Sequence, residues 1–141
     1  MPIVDFLNKR VLFVTGKGGV GKSTVAIALG IRAAMEGRRT IIVEVASTEN
    51  ASRMFRQEEV FELLGRDDPD LVIVDAPATG HGISFLQTPR TFANIARVGP
   101  IHTQALQLQE MITDKEHTGT VLVSLPEEMP VNETTELVET L

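Results

Sequence analysis

The sequence predicts an α/β fold: a parallel sheet with helices on both faces. Three observations predict it. The apolar runs Val11 to Thr15, Ile41-Ile42-Val43 and Leu71 to Val74 are continuous rather than alternating, as in strands buried on both faces. Helical stretches separate these runs, which calls for right-handed crossovers between parallel strands. A glycine-rich turn joins the first strand to the first helix.

Residues 2–9 form a short helical lead-in with Ile3, Phe6 and Leu7 on its apolar side. The first strand runs from Arg10 to Thr15. The first helix runs from Ser23 to Glu36 and ends at Gly37, a residue suited to a left-handed cap. Val25, Ile27, Ala28, Leu29, Ile31, Ala34 and Met35 surround most of its girth, which predicts a largely buried helix. The second strand spans Arg39 to Val45. Residues 50–64 read as a helix stopped by Gly65, and Asp67-Asp68-Pro69 as a turn. The third strand, Leu71 to Val74, ends at Asp75. Ala76 to Gly82 is a loop. Helices over 83–98 and 101–113 are separated by Gly99-Pro100. The fourth strand spans Thr120 to Leu125, and Asn132 caps a last helix after the loop from Pro126 to Pro130. The loops after the strands then gather at their carboxyl ends, where open α/β sheets bind ligands.

The turn after the first strand reads Gly16-Lys17-Gly18-Gly19-Val20-Gly21-Lys22-Ser23-Thr24. It is a complete G-x-x-x-x-G-K-[ST] phosphate-binding loop in its required strand–loop–helix setting. At ordinary residue frequencies the pattern arises by chance in about one chain of this length in 200. The glycines let successive amides point into one concavity, Lys22 reaches the β- and γ-phosphates, and the Ser23 hydroxyl is placed for Mg²⁺. The helix that follows adds the positive end of its dipole. The alternative is a plain glycine-rich turn.

Asp75 closes an apolar strand, the setting of the second metal-side carboxylate in phosphate-loop enzymes. The competing role is to cap the next helix. Gly80 and Gly82 flank His81, giving that loop the freedom of a γ-phosphate switch; His81 itself fits a packing role better than a proton-carrying one. Lys17 fits two roles, a solvated loop lysine or a charge on the transferring phosphoryl.

The chain has 141 residues, the size of one domain over 1–141, and at 43% hydrophobic it can bury a core. A net charge of −6 opposes a general nucleic-acid surface, whose affinity comes from lysine and arginine. With no cysteine, disulfides, thiolate metal sites and an arsenite thiolate site are excluded. No apolar run approaches the roughly 20 residues of a membrane span, and the nucleotide loop makes the cytoplasm the expected location.

Residues 17–24 resemble the deviant Walker A loop of a dimer-forming ATPase class. Phe13 to Thr24, with Asp75 to His81, resembles the anion-transporting ATPase family in particular, which includes the arsenite-pump ATPase and the targeting factor for tail-anchored membrane proteins. The resemblance covers most of residues 10–141. It implies a three-layer α/β/α P-loop NTPase, here abridged, that binds ATP and Mg²⁺ and forms a nucleotide-gated homodimer. Lys17 would reach across to the partner's phosphates. Gly16, Gly18, Gly19, Val20, Gly21, Lys22, Ser23 and Thr24 would cradle phosphate. Ser23 and Asp75 would hold the metal, and residues 76–82 would be switch II. ATP over GTP rests on this resemblance, as does a protein client.

The chain also departs from the family. Ala46 stands where the family has the switch I Asp that positions the attacking water, which puts hydrolysis but not binding in question. Glu44 and Glu49 are the nearby carboxylates, Glu44 being the substitute candidate. The stretch between the second and third strands lacks the family's client-binding insertion, and one helix follows the fourth strand, so truncation at the C-terminus is expected. Two other readings therefore stand beside hydrolysis: a non-catalytic ATP-binding switch module, and a partitioning or positioning ATPase. The acidic tail disfavours the second.

Overall fold

The computed structural model describes residues 6–45, 69–78, 90, 94, 98–128, 131, 132, 135 and 138. Its elements are β1 (Val11–Gly16), α1 (Lys22–Met35), β2 (Thr40–Glu44), β3 (Leu71–Asp75), α2 (Pro100–Thr113) and β4 (Thr118–Val123). All pairings are parallel, and the strand order is β2-β3-β1-β4. The helix expected over 50–64, together with Ala46, Glu49 and His81, lies outside the described residues.

The two faces of the sheet sort the apolar residues by alternation. Leu12, Val14, Leu71 and Ile73 face α1, whose Ala26 and Ala33 are buried against them. Val11, Phe13, Val72 and Val74 face the other way, where Leu108, Met111 and Ile112 of α2 pack. Three layers result, as the continuous strand runs predict. The handedness rule explains the placement of the helices. The chain crosses the sheet in one direction from β1 to β2 and in the other from β3 to β4, so the two connections take opposite faces.

Two features differ from expectation by more than a one-residue shift of an element end. β4 starts at Thr118, two residues early, because the α2–β4 turn delivers the chain straight into pairing with β1. In that turn the Glu116 amide donates to Asp114 Oδ1 at 2.8 Å, and the Thr118 amide donates to the Asp114 carbonyl at 2.8 Å. The Glu116 amide and the His117 ring, 2.6 Å from Asp114 Oδ2, hold the Asp114 carboxyl below its ordinary pKa. The second difference concerns α1, which is not largely buried. Ile27, Ile31 and Met35 are 51%, 57% and 75% exposed. Among the described residues the sheet ends at β2 on that side, so one flank of α1 has no described strand beneath it.

At the opposite end of the strands from the glycine-rich loop, Arg38 ties three segments together. Its guanidinium donates to the carbonyls of Leu7, Lys9 and Asp70. Beside it Arg39 grips Asp70, with Nη2 donating to Oδ1 at 3.0 Å and the backbone amide to Oδ2 at 2.8 Å. These bonds lower the Asp70 pKa to about 2. A carboxylate whose folded pKa is depressed contributes stability above its ordinary pKa and loses it as pH falls through the folded value. The expected result is that wild type loses more thermal stability than Asp70→Asn between pH 4 and about 2, measured by circular-dichroism melts. Parallel curves for the two proteins would overturn it.

Candidate functional site

The site forms where β1 and β3 end. β1 stays buried through Thr15 and Gly16, and the chain then turns through residues 17–21 into α1. Gly19 and Gly21 have φ of +81° and +93°, a left-handed region that side chains avoid. No atom lies within 4 Å of a Cβ placed on Gly18, Gly19 or Gly21, so the loop faces open space. Val20 is turned inward and buried, pinning the middle of the loop.

Gly21 is the N-cap of α1 and provides no side-chain cap bond. The first-turn amides of a helix have no partner within it, and here no acidic side chain stands among them. The positive end of the helix dipole thus favours negative charge, and the carboxylate already beside it is that of Asp75, bonded to Ser23. Lys22 begins the helix, and its ammonium folds back onto the loop, donating to the Lys17 carbonyl at 3.1 Å.

Asp75 lies 52 positions from Ser23 in sequence, yet the Ser23 hydroxyl donates to its Oδ2 at 2.5 Å. The residues expected to share a metal are therefore in direct contact. Asp75 is buried, at 6% exposure, on the α1 face of the sheet. No group of three or more carboxylates and histidines gathers into a metal centre among the described residues. A hydroxyl and one carboxylate match an ion that keeps waters and draws its other oxygens from phosphate, as Mg²⁺ does. The donor set of the loop and this oxygen pair thus fit a Mg²⁺-bound nucleotide.

Glu44 is the register partner of Asp75 on β2 and is exposed at the same carboxyl edge. This is the position expected of the substitute carboxylate. Ala46, Glu49 and residues 79–82, expected to form a switch, lie outside the described residues.

Two contacts escaped the sequence reading. The buried Thr15 hydroxyl donates to the Pro77 carbonyl at 3.3 Å, fastening the start of the β3 exit loop to the end of β1. Gly16 lies against β4, where an added Cβ would fall 2.2 Å from the Val123 carbonyl oxygen. The only hint was that Thr15 and Gly16 continue an otherwise apolar strand.

No helix among the described residues is long and apolar enough to cross a membrane.

Residues 9–64 match the family model described as anion-transporting ATPase. The ATPase BagA of Mycobacterium tuberculosis and a putative ATPase of Mycobacterium bovis are each 25% identical to this chain, covering 94% of it and 61% of their own length. The chain thus spans about three-fifths of these relatives. The alignment runs over 207 positions, more than the chain contains, so the relatives carry segments without a counterpart here. An arsenical pump-driving ATPase of Escherichia coli is 44% identical over 46 residues, 33% of this chain and 8% of that protein. The matched segment, 9–64, carries β1, the glycine-rich loop, α1 and β2, so the similarity to the anion-transporting ATPase family lies in the part of the chain that builds the site.

Proposed function

We propose that the chain is a Mg·ATP-binding, nucleotide-gated ATPase domain acting in the cytoplasm. The Ser23–Asp75 contact carries this reading, because it brings together two oxygen donors that the sequence separates by 52 positions, beside a helix start that favours negative charge. Lys22 and the amides of Gly18 to Thr24 would bind phosphate. Ser23 and Asp75 would hold Mg²⁺, which supplies charge neutralisation when bound. Catalysis would come from positioning and charge stabilisation rather than from a covalent intermediate. Hydrolysis would be in-line attack of water on the γ-phosphate, with Glu44, the register partner of Asp75 on β2, the candidate carboxylate. Lys17, half-buried at the start of the loop, would reach the phosphates of a second copy and so couple nucleotide to dimer formation.

A non-catalytic switch is the second reading, and the observation favouring it is Ala46 at the family's water-positioning place. The likeness to relatives named as pump-driving enzymes leaves client and cargo open to either.

The experiment measures ATP affinity, phosphate release and mass by light scattering, for wild type and Lys17→Ala. The expected result is micromolar Mg·ATP binding in both proteins. Phosphate release and nucleotide-dependent dimer should fall about tenfold in Lys17→Ala, the worth of one charge-assisted contact. Tight binding without release in wild type would establish the switch reading instead. Equal rates and masses in both proteins would remove Lys17 from the machinery.

A further inference from the structure

We propose that Thr15 is a positioning residue for the metal pair Ser23–Asp75. The inference deepens the Mg·ATP reading above and rests on it. Its starting point is a polar residue in an apolar strand. Val11, Leu12, Phe13 and Val14 precede Thr15 on β1, and Thr15 is buried like them, at 3% exposure. Burying a hydroxyl has a cost that a valine of the same shape avoids, unless the hydroxyl makes a bond. The bond it makes spans 62 positions, to the Pro77 carbonyl at 3.3 Å.

That bond falls where β3 leaves the sheet. The Asp75 carbonyl accepts from the Val45 amide at 3.0 Å, on the β2 side. The Ala76 amide donates to the Val14 carbonyl at 2.9 Å, on the β1 side. Successive residues thus turn to alternate neighbours, as in a strand with a partner on each side. Pro77 breaks the alternation. Two residues after Asp75 its carbonyl should face β2 again, yet it meets Thr15 of β1. Its ring nitrogen has no hydrogen to donate. The Thr15 hydroxyl therefore takes over from the backbone ladder and fixes the path of the chain just beyond Asp75.

Thr15 and Ser23 grip the end of β3 from opposite faces. On the α1 face the Ser23 hydroxyl donates to Asp75 Oδ2 at 2.5 Å. By alternation along β1, Thr15 lies with Val11 and Phe13 on the α2 face. Thr15 also directly precedes Gly16, where the phosphate loop begins. One residue is thus joined to the loop through its backbone and to the Asp75 exit through its side chain. Were the Ser23 hydroxyl given over to a metal, the Thr15 bond would remain. Asp75 would then keep its spacing from the loop, with both oxygens in reach of one ion.

The test compares wild type, Thr15→Val and Thr15→Ser as full chains. Titration calorimetry measures ATP affinity in excess Mg²⁺ and in excess chelator, and the ratio of the two reads the metal pair. Thr15→Val should lower that ratio by about fivefold, the worth of one neutral hydrogen bond, with affinity in chelator unchanged. Thr15→Ser keeps the donor and should keep the wild-type ratio. Circular dichroism checks folding, and Thr15→Ala replaces Thr15→Val if that variant does not fold. Equal ratios in wild type and Thr15→Val would overturn the inference. So would equal losses with and without Mg²⁺, the result of a purely structural role, or Thr15→Ser as impaired as Thr15→Val. Wild type that binds ATP equally with and without Mg²⁺ would instead strike the proposed function, and this inference with it.

Discussion

Lys22→Ala is expected to weaken Mg·ATP binding by about 100-fold or more, measured by isothermal titration calorimetry. A charge-assisted hydrogen bond contributes about 1.5–3 kcal/mol, and Lys22 would face two phosphate groups at once. Each 1.4 kcal/mol is a factor of ten. The substitution also removes the bond from Nζ to the Lys17 carbonyl, at 3.1 Å in a partly buried loop. That bond is internal to the loop, so melting should change little while affinity collapses. Wild-type affinity in the variant would sink the assignment of residues 16–24 as the phosphate cradle.

Gly16→Ala is expected to cost about 3 kcal/mol of folding stability, the upper range for overpacking a well-filled interior. The added methyl would lie 2.2 Å from the Val123 carbonyl oxygen and 3.2 Å from its carbon. Those atoms belong to a strand held by six register pairs to β1, so they have nowhere to go. Gly16 also sits at φ +154°, which an alanine resists. For a chain of this length the loss corresponds to a fall of roughly 10 °C in Tm. Gly18→Ala is the matched control, with nothing within 4 Å of its Cβ and no positive φ. It should stay within about 0.5 kcal/mol of wild type in urea titrations. Equal stability of the two variants would show that β4 does not pack on the loop as described. Failure of Gly16→Ala to fold would be the same result in a stronger form.

The central features were legible because they are local. The phosphate loop is a contiguous string, and the strands that bracket it are short unbroken apolar runs. Asp75 could be read from its place at a strand end, because the parallel topology sends every such end to one edge. The Ser23–Asp75 contact then follows from strand order: β3 lies next to β1, so its last residue meets the helix that β1 feeds. What was not legible depends on which strand is outermost. The apolar girth of α1 predicted burial, but periodicity does not reveal how far a sheet extends beneath a helix. With β2 outermost among the described strands, Ile27, Ile31 and Met35 hang past it. Arg38 was equally silent, since its bonds go to the carbonyls of Leu7, Lys9 and Asp70, and a carbonyl carries no side-chain signature. The shift of β4 by two residues came from the hydrogen bonds of Asp114, which the propensity of Thr120 to Leu125 could not foretell.

The short bond between Ser23 and Asp75 has a consequence for metal capture. Without an ion, that bond links the start of α1 to the end of β3 through the Asp75 carboxylate. A cation held by the same two oxygens would need the hydroxyl hydrogen turned away from Oδ2. Ser23 and Asp75 would then join the two walls of the cleft through the ion instead of through the hydrogen.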